Sequence, residues 1–321
     1  MRIPLSLSVY EHAARFLGLT PWEVSRDAEL VYRAHRAAYL TYRHFPVVVG
    51  IDIYNLEAEA YGCTVEPPQG TGIPAITQPL CANLEEALQL EPFDPERDGR
   101  IALMIDAAQR LKADFPEADV RLPVSGPFSI AQSLVGLEKL TVGAVLEPEL
   151  TRQVLENLVE GQVRFSRAAI AAGLGVAFFE SAAAPPLLSP RAFREVELPA
   201  LKLALQKVSA EAGVALPCII GGDTAPIVED ILQTGTDFLI CPAETDREAF
   251  LAVTRRHPEV KVRVNLDPRL YLWGTEEEMW AEVDRIVALR AEHPNLLLGT
   301  GALPYEADPK RILRLKAYCD Q

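Results

Sequence analysis

The 321-residue chain is 49% hydrophobic and 24% charged, an ordinary globular composition that suits one large domain or two small ones. Its 31 Lys and Arg stand against 45 Asp and Glu, a net charge of −14; this disfavours nucleic acid and anionic membranes as partners, and any highly acidic ligand would need a local basic cluster. No apolar run reaches the roughly 18 residues of a membrane span, the N-terminus lacks the apolar core of a signal peptide, and five scattered cysteines without a CxxC spacing point to a reduced, cytoplasmic protein.

In chain order, short apolar runs read as strands: IPLSLS (3–8), VVVGIDI (47–53), VRLPVS (120–125), VAFFES (176–181), VALPCII (214–220), DFLICP (237–242), VKVRVNL (260–266) and NLLLGT (295–300). Each precedes a stretch with helical periodicity. Start signals mark several of these helices: Ser189 before Pro190, Thr224 before Pro226, Asp246, and Thr275 before Glu276, Glu277 and Glu278. The 25 prolines are spread along the chain, so no linker stands out and residues 1–321 read as one domain. Eight βα units in this length suit a (β/α)8 TIM barrel. A doubly wound sheet is the alternative, but no GxGxxG follows an early strand.

In a barrel, chemistry belongs at the C-terminal strand ends. Those positions hold Ser8; Asp52, Tyr54 and Asn55; Ser125; Glu180 and Ser181; Gly221, Gly222 and Asp223; Glu244; Asn265 and Asp267; and Thr300 and Gly301. The set is acidic and neutral, with no Lys or His at a tip; Arg263 lies within its strand. Asp52 interrupts an apolar run, where a carboxylate is costly unless partnered. It reads equally as an acid/base at the barrel mouth or as a strand-end acceptor for its own loop. Glu180, after a strongly apolar strand, reads as a second site residue. Asp246 reads as a helix cap, and Asp267, before Pro268, as a turn former.

Metal chemistry finds no ligand set. His35 and His44 fall on an expected surface helix, His257 and His293 precede prolines at helix ends, and only His12 lies near a strand tip. Cys218 and Cys241 read as small core residues on neighbouring strands. No GxSxG and no Cys–His pair supports nucleophilic catalysis. The segment SGPFS (125–129) offers N–H groups at a helix start, and serves equally as a plain cap.

The segments EAEAYGC (57–63), PVSGPFSIAQSLVG (123–136), FFESAAAPPLLSPRAF (178–193), GGDTAPIVEDILQTGTDF (221–238), VNLDP (264–268) and LGTGALP (298–304) together resemble the uroporphyrinogen decarboxylase superfamily, which includes porphyrinogen decarboxylases and corrinoid-linked methyltransferases. The resemblance implies the same barrel. The decarboxylases' N-terminal Arg-Gln-Ala-Gly-Arg is missing from PLSLSVYEHAARFLGLT, while EAEAYGC is nearer the methyltransferase branch. Zinc-dependent methyltransferases place His-x-Cys and a later Cys where this chain has Ile219, Gly221 and Ala302, so no metal is expected at those positions. The implied function is a zinc-independent methyltransferase-like enzyme acting on a small organic substrate or a corrinoid-borne methyl group. A porphyrinogen decarboxylase and a non-catalytic binding protein are the alternatives. Asp52 and Glu180 are the expected catalytic residues. His12, Tyr54, Ser125, Ser181, Gly222, Asp223, Glu244, Asn265 and Asp267 are the expected substrate-binding set. No cofactor motif is present; methylcobalamin or another corrinoid is the candidate co-substrate. A corrinoid protein and a second copy of the chain remain open as partners.

Overall fold

The structure, a computed structural model, describes residues 2–321. Eight parallel strands alternate with helices: β1 (Leu5–Ser8), β2 (Val47–Val48), β3 (Val120–Ser125), β4 (Gly175–Glu180), β5 (Cys218–Ile220), β6 (Phe238–Cys241), β7 (Lys261–Asn265) and β8 (Leu296–Ala302). They pair in two four-stranded sheets, β2-β3-β4-β5 and β1-β8-β7-β6, the two halves of a (β/α)8 barrel. Thr236 stitches one seam between the halves: its Oγ1 accepts from the Cys218 N–H at 3.0 Å and lies 2.8 Å from the Leu216 carbonyl.

The second strand is shorter than its apolar run. Beyond Val48 the chain turns, and the Gly50 backbone meets the buried Nε2 of His35 at 3.1 Å. A Cβ at Gly50 would come within 2.9 Å of Ile53 Cγ2, so the turn depends on glycine. His35, His44 and His293 are buried rather than on the surface. Burial pushes the His35 and His44 imidazoles down to about 4 and about 3, so both are neutral core groups.

The caps expected at Ser189, Asp246 and Thr275 form, the last as a full capping box. Thr224 differs: its side chain caps nothing, and a short 3-10 turn, Ala225–Ile227, follows. Helices cover the outside of the barrel over the main apolar core. A smaller apolar cluster of Tyr10, Val48, Ile53, Ala177, Phe179, Ile219 and Ile240 lies inside the barrel. A hairpin pairing Val65–Glu66 with Ala75–Ile76 reaches over the C-terminal mouth. No single helix among the described residues is long and apolar enough to cross a membrane.

Candidate functional site

The C-terminal mouth holds a cavity of about 620 Å³. Strand-end residues Tyr54, Ser181, Gly221, Glu244 and Asn265 line it, joined by Tyr10, Glu11, Phe179, Ile240 and Arg263, with Ile73 and Pro74 of the hairpin loop as roof. Tyr54 and Ser181 share a hydrogen bond between their hydroxyls, which ties the β2 loop to the end of β4. Glu244 accepts from the Gly222 N–H at 3.0 Å. Asn265 is buried with no partner for its Oδ1. The wall is therefore mostly apolar, with a few convergent polar groups, as in many small-molecule sites.

Asp52 reaches this cavity as one half of a buried ion pair. Arg100, 48 residues away, meets both of its oxygens, Nη1 at 2.9 Å and Nη2 at 2.7 Å. Asn55 Nδ2 adds a bond at 3.0 Å and also donates to the Pro74 carbonyl at 2.7 Å. Arg100 further contacts Glu59, which also pairs with Arg26 at 2.5 Å. Asp52 thus lines the cavity and accepts one bond from its own loop, through Asn55, with Arg100 as a partner the sequence reading did not foresee. The carboxylate faces the cavity, yet its oxygens are engaged by a guanidinium from a distant helix start, and Asn55, bonded to both Asp52 and the Pro74 carbonyl, ties the hairpin loop to the barrel.

Several expected site residues serve the frame instead. Glu180 does not line the cavity. It points between β4 and the helix Pro127–Val135, where it accepts from the N–H groups of Phe128 at 3.1 Å, Ser129 at 3.2 Å and Ala182 at 3.2 Å, and from the Ser129 hydroxyl. A carboxylate at orphan helix N–H groups is a cap supplied from a distance. Buried Glu197 lies nearby with no hydrogen-bond partner on either oxygen; burial and the Glu180 charge hold its carboxyl well above the usual range, which favours its neutral form. Gly126 makes room for this arrangement, since a Cβ there would fall 2.1 Å from Glu180 Oε2. Gly126→Ala is expected to destabilise the fold by about 1–3 kcal/mol, the usual range for overpacking, measured by chemical denaturation; an unchanged midpoint would show that the helix start moves freely.

Ser125 likewise faces away from the cavity, donating its N–H and hydroxyl to the buried Glu57 at 2.6 and 2.8 Å. His12 is fully buried behind β1, its ring nitrogens 2.8 Å from the Tyr42 hydroxyl and 3.0 Å from the Pro304 carbonyl; burial lowers its pKa to about 4. Asp223 accepts from the Thr245 hydroxyl at 2.9 Å and Gly222 contributes only its backbone; neither lines the cavity. Asp267 caps the helix Pro268–Leu272 and pairs with Arg269 at 2.5 Å. Strand-end position brought all of these near the mouth, but side-chain direction sends them outward.

Two groups that the strand-end reading passed over face the cavity. Glu11 lies just past β1, is 6% exposed, and has no side-chain partner among the described residues. Burial, reinforced by Glu306, pushes its carboxyl up to about 7. Arg263 is 4% exposed; Nη1 donates to Ser8 Oγ at 3.0 Å, and Nε has no protein acceptor. Strand alternation could have found Arg263, because Val262 and Val264 on either side face the outer core.

Burial holds Glu57 near 7 as well. A carboxyl raised on folding favours the folded state below its unfolded value near 4.5, and this advantage disappears as pH rises through about 7. Each acid accounts for about 3 kcal/mol across that window. Neutral burial of His12, His35 and His44 acts in the opposite direction below about pH 6.5, so the melting temperature is expected to fall between about pH 6.5 and pH 8, and a flat profile there would contradict these environments.

A parallel barrel with an acid and a cation at its C-terminal mouth defines the class as an α/β-barrel protein with an enzyme-like cavity. The chain matches the family profile described as uroporphyrinogen decarboxylase (URO-D) over residues 1–320, and belongs to that family. It is 26% identical to a uroporphyrinogen decarboxylase of Chlorobium chlorochromatii over 234 residues, 68% of this chain and 64% of that protein. A uroporphyrinogen decarboxylase of Chlorobium limicola is likewise 26% identical, over 238 residues. The chain thus spans about 64% of the length of these curated relatives. A solved methyltransferase from Methanosarcina mazei shares the fold, with TM-score 0.79 and 21% identity over 99% of this chain and 93% of that one.

Ile219, Gly221 and Ala302, the positions that the resemblance sets against the zinc ligands of methyltransferases, all line the cavity. They present alkyl groups and a bare backbone, so the donor set does not fit zinc.

Proposed function

We propose that the protein is a methyltransferase-like enzyme that works without zinc, on a small organic anion held in the barrel mouth. One observation carries this reading: the cavity has a single buried cation, Arg263, and a single acid set near neutrality, Glu11. One cation suits a substrate with one negative group. It does not suit a tetrapyrrole bearing eight carboxylates, which would need several charge-assisted donors. Glu11 is suited to take the proton released when an acceptor O–H, N–H or S–H is methylated, or to return it in the reverse direction. Tyr54, Ser181, Glu244 and Asn265 orient the substrate by hydrogen bonds, and the Asp52–Arg100 pair fixes the wall behind it. A methylated corrinoid, free or carried by a partner protein, is the co-substrate that would supply the methyl group.

The second reading, a porphyrinogen decarboxylase, draws on the two Chlorobium relatives. Anaerobic incubation with uroporphyrinogen separates the two readings. The protein is expected to release no carbon dioxide from it; sustained release would replace the methyltransferase reading with the decarboxylase.

A further inference from the structure

Below the mouth lies a second cavity of about 370 Å³. TIM-barrel interiors are normally filled by layers of large branched side chains. Here the inward positions hold small residues, Ser6 on β1 and Ala177 on β4, and the space stays open among Val48, Phe238, Leu297 and Phe45. Ser8, Tyr10, Ile219 and Arg263 line both cavities, so they form a neck on the barrel axis.

Arg263 is the chemical feature of that neck. Its protein partners are the hydroxyls of Ser8, at 3.0 Å, and Ser6, at 3.4 Å. No carboxylate lies within ion-pair distance of it among the described residues, although the chain carries 45 Asp and Glu. A guanidinium buried without a counter-ion is costly for a folded protein. The backbone accommodates it: a Cβ on Gly299 of β8 would meet Arg263 Cδ at 2.6 Å and Asn265 Oδ1 at 2.5 Å. The Asn265 side chain, which lines the mouth cavity, makes no protein hydrogen bond, so its amide can turn over to offer its NH2 group at no cost in protein bonds.

We propose that Arg263 is the anion site of this two-chamber channel and that it takes a monocarboxylate whose apolar chain occupies the lower cavity. The inference rests on the barrel mouth being the substrate site and narrows the substrate class. One guanidinium and two neutral hydroxyls match a single negative charge, and the lower chamber gives an alkyl or aryl body a lining of Leu7, Val9, Val48, Phe45, Phe238 and Leu297, with the Asp119–Arg121 pair and Lys261 also lining it. A headgroup on Arg263 leaves the atoms beside it facing Glu11 and Tyr54 above.

Isothermal titration calorimetry of the full chain with acetate, butyrate, hexanoate and octanoate tests this, with 1-octanol and octyl phosphate as comparison arms. Affinity is expected to rise about fourfold per added methylene until the chamber is full, with octanoate at least tenfold tighter than octanol or octyl phosphate. Arg263→Gln should weaken octanoate binding at least tenfold while its thermal melt stays cooperative. Ala177→Leu, which fills the lower chamber, should weaken octanoate but leave butyrate unchanged. Equal binding of octanol and octanoate by the unmodified protein would overturn the proposal even if both variants failed to fold. Octyl phosphate binding tightest would also overturn it, in favour of a phosphate site. No carboxylate binding, together with methyl transfer to another acceptor, would remove this inference and leave the proposed function standing. Octanoate binding without any methyl transfer would do the reverse.

Discussion

Arg100→Met is expected to lower the stability of the protein by about 3–5 kcal/mol, because removing one partner of a buried ion pair leaves the other charge uncompensated. Here Asp52 loses its ion-pair partner, while Glu59 loses one of two and keeps Arg26. Asp52 is 2% exposed and accepts both guanidinium arms, and Glu59 accepts from Nε. The Ser25 carbonyl loses a donor as well, at 2.9 Å. A drop of roughly 10 °C in melting temperature follows for a domain of this size. Asp52→Asn should cost less, since Arg100 retains Glu59 and the amide retains the shape. The pair of variants distinguishes a structural anion from a reacting one: if Asp52→Asn melted like the parent yet abolished turnover, Asp52 would be catalytic despite its pairing.

Glu11→Gln should lower turnover by about 10²–10⁴, the usual contribution of a positioned general acid or base. The same change should remove a limb near pH 7 from the pH–rate profile. Stability should move in the opposite direction. At pH 8 the parent protein keeps a buried carboxylate charged, at a cost of about 3 kcal/mol against the unfolded chain, and the neutral amide avoids that cost. A variant that is slower and also more stable above pH 7 is difficult to attribute to general damage. A variant that is slower and less stable at every pH would show that Glu11 supports the fold instead.

The barrel was legible because its signals are local. Apolar runs of strand length, caps at Ser189 and Thr275, and prolines in first turns each depend on a few neighbouring residues. The strand tips were legible for the same reason, and Tyr54, Ser181, Glu244 and Asn265 do meet around the cavity. Direction was harder. Glu180 ends a strand in which Phe179 faces the cavity, so the pleat turns Glu180 outward to the helix that starts at Pro127. Arg263 obeys the same alternation with the opposite outcome, between two buried valines. Long-range partners left no local trace: nothing near Asp52 announces Arg100, and nothing in the helix Phe193–Glu197 announces that Glu197 will lie near Glu180. Glu11 sits in a turn with no periodicity to read, and only its burial marks it out.

β5 and the loop after it, CIIGGDTAPI (218–227), shape one side of the mouth. Ile219 and Gly221 both line the cavity, Ile219 with an alkyl side chain and Gly221 with bare backbone, and neither supplies a side-chain donor. Asp223 is held by Thr245, and Gly222 adopts the positive φ of 88° that lets its N–H reach Glu244. The loop contributes form to the mouth, and in the proposed function the chemistry falls to Glu11 and Arg263.

Following the spectrum of methylcobalamin under anaerobic conditions, with chelator-treated protein and a panel of small carboxylate acceptors bearing O–H, N–H or S–H groups, tests the central claim most directly. Acceptor-dependent demethylation is predicted to persist in chelator and to fall sharply in Glu11→Gln. No spectral change with any acceptor, or a change abolished by chelator and restored by added zinc, would contradict it.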